Sequence, residues 1–422
     1  MIVSIGFTVL LLAGVPIALV LAMTAMIYIV VSGNTILFQS MPQQLYGGLE
    51  KYGLLAIPLF MLVGELMNEG GITRRLIAFA GVFVGSLRGG LAYINLVANL
   101  LMAAIIGSAN AQIAVMGHVM VPEMVRRGYN REFATAVTAA GGLMSPIIPP
   151  SMLFVIYGVL AQISIGDMFL AGIIPGILMG IAFISVVAIM GFFYAYPREE
   201  RKSRRAALSD ILGALPSLTI PVVIIGGIAG GIATPTESAA LAAVAALAVG
   251  AIFHREFHIS HVPQILIRLV TNSSMVLFLV AAANVFGWII VYERIPQMLA
   301  VTMQQMTSDP FVFMLMLNLL LLGVGMIIDG IAALILIVPI LLPIATSSYG
   351  ISPFHFGVVV CLNLVIGLLT PPVGTALFVA ANVSGCKPTA IMKPLTPFLL
   401  ASLLILMLIT WEPRLVTVIL SQ

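Results

Sequence analysis

Apolar residues in this chain neither alternate with polar ones nor keep to one helical face. They run on, and segments 173–193 and 398–409 are apolar on nearly every side. Such runs suit helices surrounded by lipid or protein, not the alternating strands of a transmembrane barrel. They predict membrane spans at 17–31, 54–69, 166–194, 211–230, 233–253, 272–291 and 394–414. Between these lie shorter units. Segments 92–125 and 311–346 read as re-entrant hairpins, 72–87 and 294–307 as amphipathic arms, and 133–162 and 355–383 as helices broken by Pro-Pro. Counting each broken helix as one span gives nine. The predicted fold class is an all-α polytopic membrane protein.

Composition narrows the function classes. Of 422 residues 61% are apolar, with 18 Lys and Arg and 15 Asp and Glu. A soluble chain of this length would carry about a quarter charged residues, on the order of 105. The deficit excludes a soluble globular enzyme, and a net charge of +3 with no basic stripe excludes a nucleic-acid reader. Cys361 and Cys386 have no CxxC partner and no His at ligand spacing, so neither a disulfide nor a metal site follows. No Walker motif is present, which argues against ATP hydrolysis. The first helix lacks a basic flank and a small-residue cleavage site, so it reads as a retained span and not a signal peptide.

The longest charged stretch, REERKSRR at 198–205, divides the chain into similar halves: a first repeat at 1–194, a basic loop at 195–210 and a second repeat at 211–422. Leu59-Phe60-Met61-Leu62-Val63 aligns with Leu277-Phe278-Leu279-Val280-Ala281, and Pro149-Pro150 with Pro371-Pro372. The offset stays near 220, roughly the length of one half of a duplicated carrier. If the basic loop is cytoplasmic, 15 of the 18 basic residues fall on that side, leaving Lys51, Arg294 and Arg414 outside. The N-terminus is then cytoplasmic, the C-terminus periplasmic, and the two halves are inverted.

The first hairpin turns at Gly107-Ser108-Ala109-Asn110, where backbone groups without helical partners need protein, water or an ion. A surface loop between two short spans is the competing reading. The broken helices read GGLMSPIIPPSMLF (141–154) and IGLLTPPVGTALF (366–378). Each proline removes a donor and frees a carbonyl one turn earlier. Ser145, Ser151, Thr370 and Thr375 add hydroxyl oxygens. Carbonyls with hydroxyls suit a hard cation such as Na+, and exposed amides at a half-helix start suit an anion. A packed proline kink is the alternative. The second hairpin turns through Gly325 to Asp329-Gly330, and Asp329 reads either as a functional carboxylate or as a helix cap. Glu65 and Glu237 lie near helix ends and read as capping or interfacial. His118 reads as a packed residue. His254, His258 and His261 have helical spacing but no fitting acidic ligand.

Together AIPLFMLVGELMNEGGI (56–72), the Gly107-Ser108-Ala109 tip, PIIPPS (146–151), ATPTESAA (233–240) and FGVVVCLNLVIGLLTPPVGTALFV (356–379) resemble the large membrane subunit of tripartite ATP-independent periplasmic transporters, over about residues 10–400. The resemblance implies a bacterial inner-membrane, elevator-type carrier importing carboxylates or related organic acids with Na+. It implies two partners, a small four-helix membrane subunit on a separate chain and a periplasmic solute-binding protein. Carried over by position, one Na+ site uses Gly107, Ser108, Asn110 and Ser145, and a second uses Gly325, Asp329, Thr370 and Gly374. Substrate would lie between the tips, near Ser108, Asn110, Pro149, Pro150, Ser151, Pro371 and Pro372. Members usually carry a GSAxAD pattern at the first tip, whereas this chain has Gln112 in the Asp position. A stand-alone elevator carrier and proton coupling are the alternatives.

Overall fold

The computed structural model describes residues 2–193, 196–198 and 202–420, so Glu199, Glu200 and Arg201 of the basic loop lie outside it. Among the described residues every regular element is a helix. The chain opens with α1 (Ile2–Leu12), α2 (Ile17–Ser32) and α3 (Leu37–Leu49), then enters α4 (Ala56–Glu69) through a 3-10 turn. After α5 (Ile72–Val84), α6 (Gly90–Ile106) and α7 (Ala109–Arg126) form a helix pair joined by two residues. Next come α8 (Arg131–Gly142), an irregular break, and α9 (Met152–Ala161). The long helices α10 (Ile165–Phe193) and α11 (Arg204–Ala229) flank the basic loop. They are followed by α12 (Pro235–Ala248), α13 (Val262–Tyr292) and α14 (Ile295–Met306). A second pair, α15 (Pro310–Gly325) and α16 (Gly330–Tyr349), precedes α17 (Pro353–Gly367), another break, and α18 (Thr375–Ser384). The helices α19 (Pro388–Trp411) and α20 (Arg414–Thr417) finish the fold.

Among the described residues seven helices are long and apolar enough to cross a membrane: α4 with its 3-10 turn, α10, α11, α12 with the π turn after it, α13 with the 3-10 turn before it, α16 and α19. All-round hydrophobicity in these and in the shorter apolar helices has two causes. In α17 every residue from His355 to Gly367 is buried, so each face meets protein. In α11 the long apolar stretch is mostly unburied, and Val222 and Leu215 face outward as lipid-facing residues do.

Several elements differ from the sequence expectation. Helix α3 was not predicted, because Pro42 and the Gln43-Gln44 pair interrupt its apolar pattern. It is held by tertiary contact, with Asn284 of α13 donating to the Gln44 carbonyl at 2.7 Å. Helix α13 starts at Val262, ten residues before the expected 272, since Asn272, Ser273 and Ser274 lie within a continuing helix. The second arm of the second hairpin, α16, is a 20-residue helix long enough to cross a membrane by itself. His254, His258 and His261 share no helix face, because the chain leaves a π turn at Phe253 and passes Arg255 at positive φ. His261 instead pairs with Glu69 at 3.1 Å.

Contacts tie the basic segments together. Arg131 donates to the Ser384 carbonyl at 3.3 Å, Lys202 to that of Ala78 at 3.3 Å, and Gly89 N to that of Pro197 at 3.1 Å. Tyr196 stacks on Phe133 with centroids 4.8 Å apart and on Tyr129 at 5.7 Å. Arg268 holds Glu65 at 3.1 Å and Glu69 at 2.8 Å, so Glu65, expected near a helix end, is an ion-pair partner.

Candidate functional site

Each hairpin turn rests on the backbone of a helix break. At the first turn Gly107 adopts φ 65, a left-handed conformation that glycine takes without steric cost. A Cβ there would lie 2.9 Å from the Pro150 carbonyl oxygen. Met152 N donates to Gly107 O at 3.4 Å, so turn and break meet main chain to main chain. Ser151 caps α9 by accepting from Phe154 N at 3.2 Å, and its own hydroxyl donates to the Pro146 carbonyl. The Pro149-Pro150 and Pro371-Pro372 bonds are both cis.

The second turn uses the same kind of joint. Gly374 N donates to Met326 O at 3.0 Å. Gly325 and Gly367 touch directly, the Cα of Gly367 lying 3.2 Å from where a Gly325 Cβ would stand. Asp329 takes the capping role, accepting from Ile331 N at 3.1 Å, with its side chain exposed at the turn. Thr370 spends its hydroxyl proton on the Ile366 carbonyl at 2.9 Å.

The two turns and the first break line a half-open cavity of about 70 Å³. Gly107, Ser108 and Asn110 line it from the first turn, Pro146 from the first break, and Asp329 and Ile331 from the second turn. Leu368 is the second break's contribution among the described residues. This volume admits a few water molecules or a small ion, and not an organic acid. Several buried oxygens around these joints have no partner among the described residues: Asn110 Oδ1, Ser145 Oγ, Gln112 Oε1 and Thr375 Oγ1. A buried oxygen left unpaired costs about 1–3 kcal/mol. Hydroxyl, amide and carbonyl oxygens of this kind are hard donors, chemically suited to an alkali or alkaline-earth cation.

A polar chain stands behind the first turn. Gln112 Nε2 donates to Asn99 O and Oδ1 at 2.8 and 2.9 Å, and Asn99 Nδ2 to Asn95 Oδ1 at 2.7 Å. Asn95 Nδ2 then donates to Thr138 Oγ1 at 2.7 Å. All four side chains are buried, and they stitch α6 and α7 to α8. A shorter chain serves the second half, with Asn363 donating to Asn318 Oδ1 at 2.8 Å and Asn318 to Thr410 Oγ1 at 2.9 Å.

A family model described as the tripartite ATP-independent periplasmic transporter, DctM component, matches residues 4–415. The chain belongs to this DctM family. It is therefore a multi-pass inner-membrane permease component. It is 39% identical over 414 residues to the sialic acid TRAP transporter large permease SiaM of Vibrio cholerae, covering 97% of this chain and 95% of that protein. It is 37% identical to the isethionate TRAP transporter permease DctMQ of Oleidesulfovibrio alaskensis, covering 96% of this chain and 64% of the relative's length. The crystal structure of the YdaH transporter of Alcanivorax borkumensis superposes with TM-score 0.66 at 14% identity, over 96% of this chain and 97% of that one, which speaks for the fold alone.

Within this DctM-family chain the predicted residues separate into groups. Gly107, Ser108, Asn110 and Asp329 share the cavity wall, while Ser145 lies fully buried in the first break. Gly325, Thr370 and Gly374 gather at the second joint. Pro150 abuts the first turn through its carbonyl, whereas Ser151 binds within its own break, to the Pro146 carbonyl and Phe154 N. Pro149 instead faces an apolar crevice with Phe169 and Ile224, and Pro371 and Pro372 are exposed away from the cavity wall. His118 is exposed on α7, its Nδ1 2.7 Å from the Ala114 carbonyl oxygen. Sequence reasoning missed Asn95, Asn99, Asn318 and Asn363. The available signal was asparagine inside apolar runs, with Asn95 and Asn99 one helical turn apart.

Proposed function

We propose that this chain is the large permease subunit of a Na+-coupled, binding-protein-dependent carrier that imports organic acids. The observation that carries the reading is the meeting of two hairpin turns with the first helix break around one small cavity, beside buried oxygens that have no partner. Na+ would be held near the first joint by oxygens of Gly107, Ser108, Asn110 and Ser145. A second Na+ would be held near the second joint by Gly325, Asp329, Thr370 and Gly374. The cavity is too small for a carboxylic or sulfonic acid, so substrate entry requires the two turns to separate. Inverted repeats moving as an elevator, with the basic loop and the N-terminus cytoplasmic and the C-terminus periplasmic, supply that separation. Permeases of similar sequence are named for sialic acid and isethionate, both acids. A small membrane subunit and a periplasmic solute-binding protein would complete the tripartite assembly.

The test is reconstitution of this chain with both partners in proteoliposomes. Replacing Na+ by choline is expected to abolish uptake, while collapsing the pH gradient leaves it running. Omitting the binding protein is expected to stop uptake. Thr370→Val and Asp329→Ala are each expected to weaken Na+ dependence. Uptake driven by a pH gradient without Na+ would assign proton coupling to Asp329, the one titratable group on the described cavity wall. Full uptake by this chain alone would mean a stand-alone carrier.

A further inference from the structure

A second cavity, of about 800 Å³, opens between α5, the α6–α7 pair and the loop leading to α11. Its rim is basic. Arg126 and Arg127 stand at the end of α7, and Arg198 and Lys202 on the loop opposite, with Glu123 the one carboxylate among the described lining residues. Glu123 already faces both neighbouring guanidinium groups, with Arg127 Nε at 3.2 Å. Lys202 pairs with Asp210 at 2.6 Å, whereas Arg198 makes no ion pair among the described residues. The floor is apolar, built from Ile77 of α5, Leu91 and Ile94 of α6, and Val119 of α7. A Cβ at Gly81 would meet Ile94 at 3.5 Å and the Lys202 amine at 3.4 Å, ordinary contact distances, so a longer side chain there would reach between floor and rim.

Two pairs of cations above an apolar floor, where helices leave the membrane, match one class of ligand. We propose that this cavity binds an anionic phospholipid, with phosphates held by the Arg126–Arg127 and Arg198–Lys202 pairs and acyl chains along Ile77, Leu91 and Val119. Arginine forks bind phosphate oxygens in a bidentate way that choline headgroups do not reward. Basic pockets between transmembrane helices on the cytoplasmic side favour lipids such as cardiolipin, whose headgroup carries two phosphates. A soluble anion would use the rim and leave the floor empty. A bound lipid would bridge α5 to α7. Its binding does not depend on the transport reading.

The full chain, purified in neutral detergent, would be titrated with cardiolipin, phosphatidylcholine or inorganic phosphate. Bound lipid would be counted by native mass spectrometry and stability followed by the melting midpoint. Cardiolipin is expected to stay bound and to raise the midpoint, and phosphatidylcholine to do neither. Arg126→Gln combined with Arg198→Gln is expected to weaken cardiolipin retention at least tenfold. Gly81→Leu, which fills the floor and leaves the rim charges, is expected to weaken it as well. Arg414→Gln, on an exposed residue remote from the cavity, should change nothing. Equal retention of phosphatidylcholine, a phosphate-only shift matching that of cardiolipin, or unchanged retention in both cavity variants would overturn the proposal.

Discussion

Replacing Gly367 by alanine tests whether the second turn and its break work as one joint. A Cβ at Gly367 would stand 2.6 Å from the Gly325 carbonyl carbon and 2.7 Å from its Cα. Ordinary carbon contacts begin near 3.5 Å, so the two backbones must part by roughly 1 Å. Both neighbours are main chain and no rotamer change can absorb the displacement. A shift of that size stretches the 3.0 Å bond from Gly374 N to Met326 O beyond hydrogen-bonding range. Overpacking costs about 1–3 kcal/mol, and the lost bond adds about 1 kcal/mol. The expected destabilisation is about 2–4 kcal/mol. Gly323→Ala, in the same hairpin, is the matched control because nothing lies within 4 Å of its Cβ position. Alanine there favours the helix by about 1 kcal/mol. Thermal unfolding in detergent and the Na+ concentration for half-maximal uptake would be measured for both variants. Gly367→Ala should melt lower, and its Na+ requirement should rise at least tenfold. If it melts and transports like Gly323→Ala, the joint does not support the site.

Gln112→Leu leaves Asn99 Oδ1 buried without its donor, which should cost about 1–3 kcal/mol. In a double-mutant cycle with Asn99→Leu, which itself orphans the Asn95 amide oxygen, the combined loss should be smaller than the sum of the two single losses; strict additivity would argue against the bond. At the connector, burial above all pulls the His254 imidazole below its usual range, although its contact with the Gly70 carbonyl favours the charged form. A histidine whose folded pKa is depressed binds fewer protons folded than unfolded. The stability it preserves is present above the unfolded value of about 6.5 and is lost as pH falls through the folded value. Acidification should therefore lower the melting midpoint more for the wild type than for His254→Gln, and parallel curves would assign the acid sensitivity elsewhere.

Most of the helical order was legible because hydrocarbon permits few alternatives. The first helix pair, expected at 92–125, spans Gly90 to Arg126, and the first break lies where Pro146 and Pro149-Pro150 placed it. Glycine at 107 and the capping Asp329 likewise announced the turns. What was not legible depends on tertiary neighbours. Helix α3 needs Asn284 of α13, more than two hundred residues away, to fix it. The asparagines at 95 and 99 each look costly alone, and they become satisfied once α7 and α8 close around them. Histidine spacing misled for the opposite reason. A helical interval predicts a shared face only where the helix continues, and here the backbone turns at Arg255.

Both joints are closed by amide-to-carbonyl bonds, Met152 to Gly107 and Gly374 to Met326. Backbone groups are common to nearly every residue type, so apart from the glycines at the crowded contacts this frame makes few demands on side-chain identity. Cavity-lining positions such as Leu153 and Ile331 can thus change while the turns stay seated. One scaffold can in this way diverge in what it recognises without rebuilding the parts that hold its turns in register.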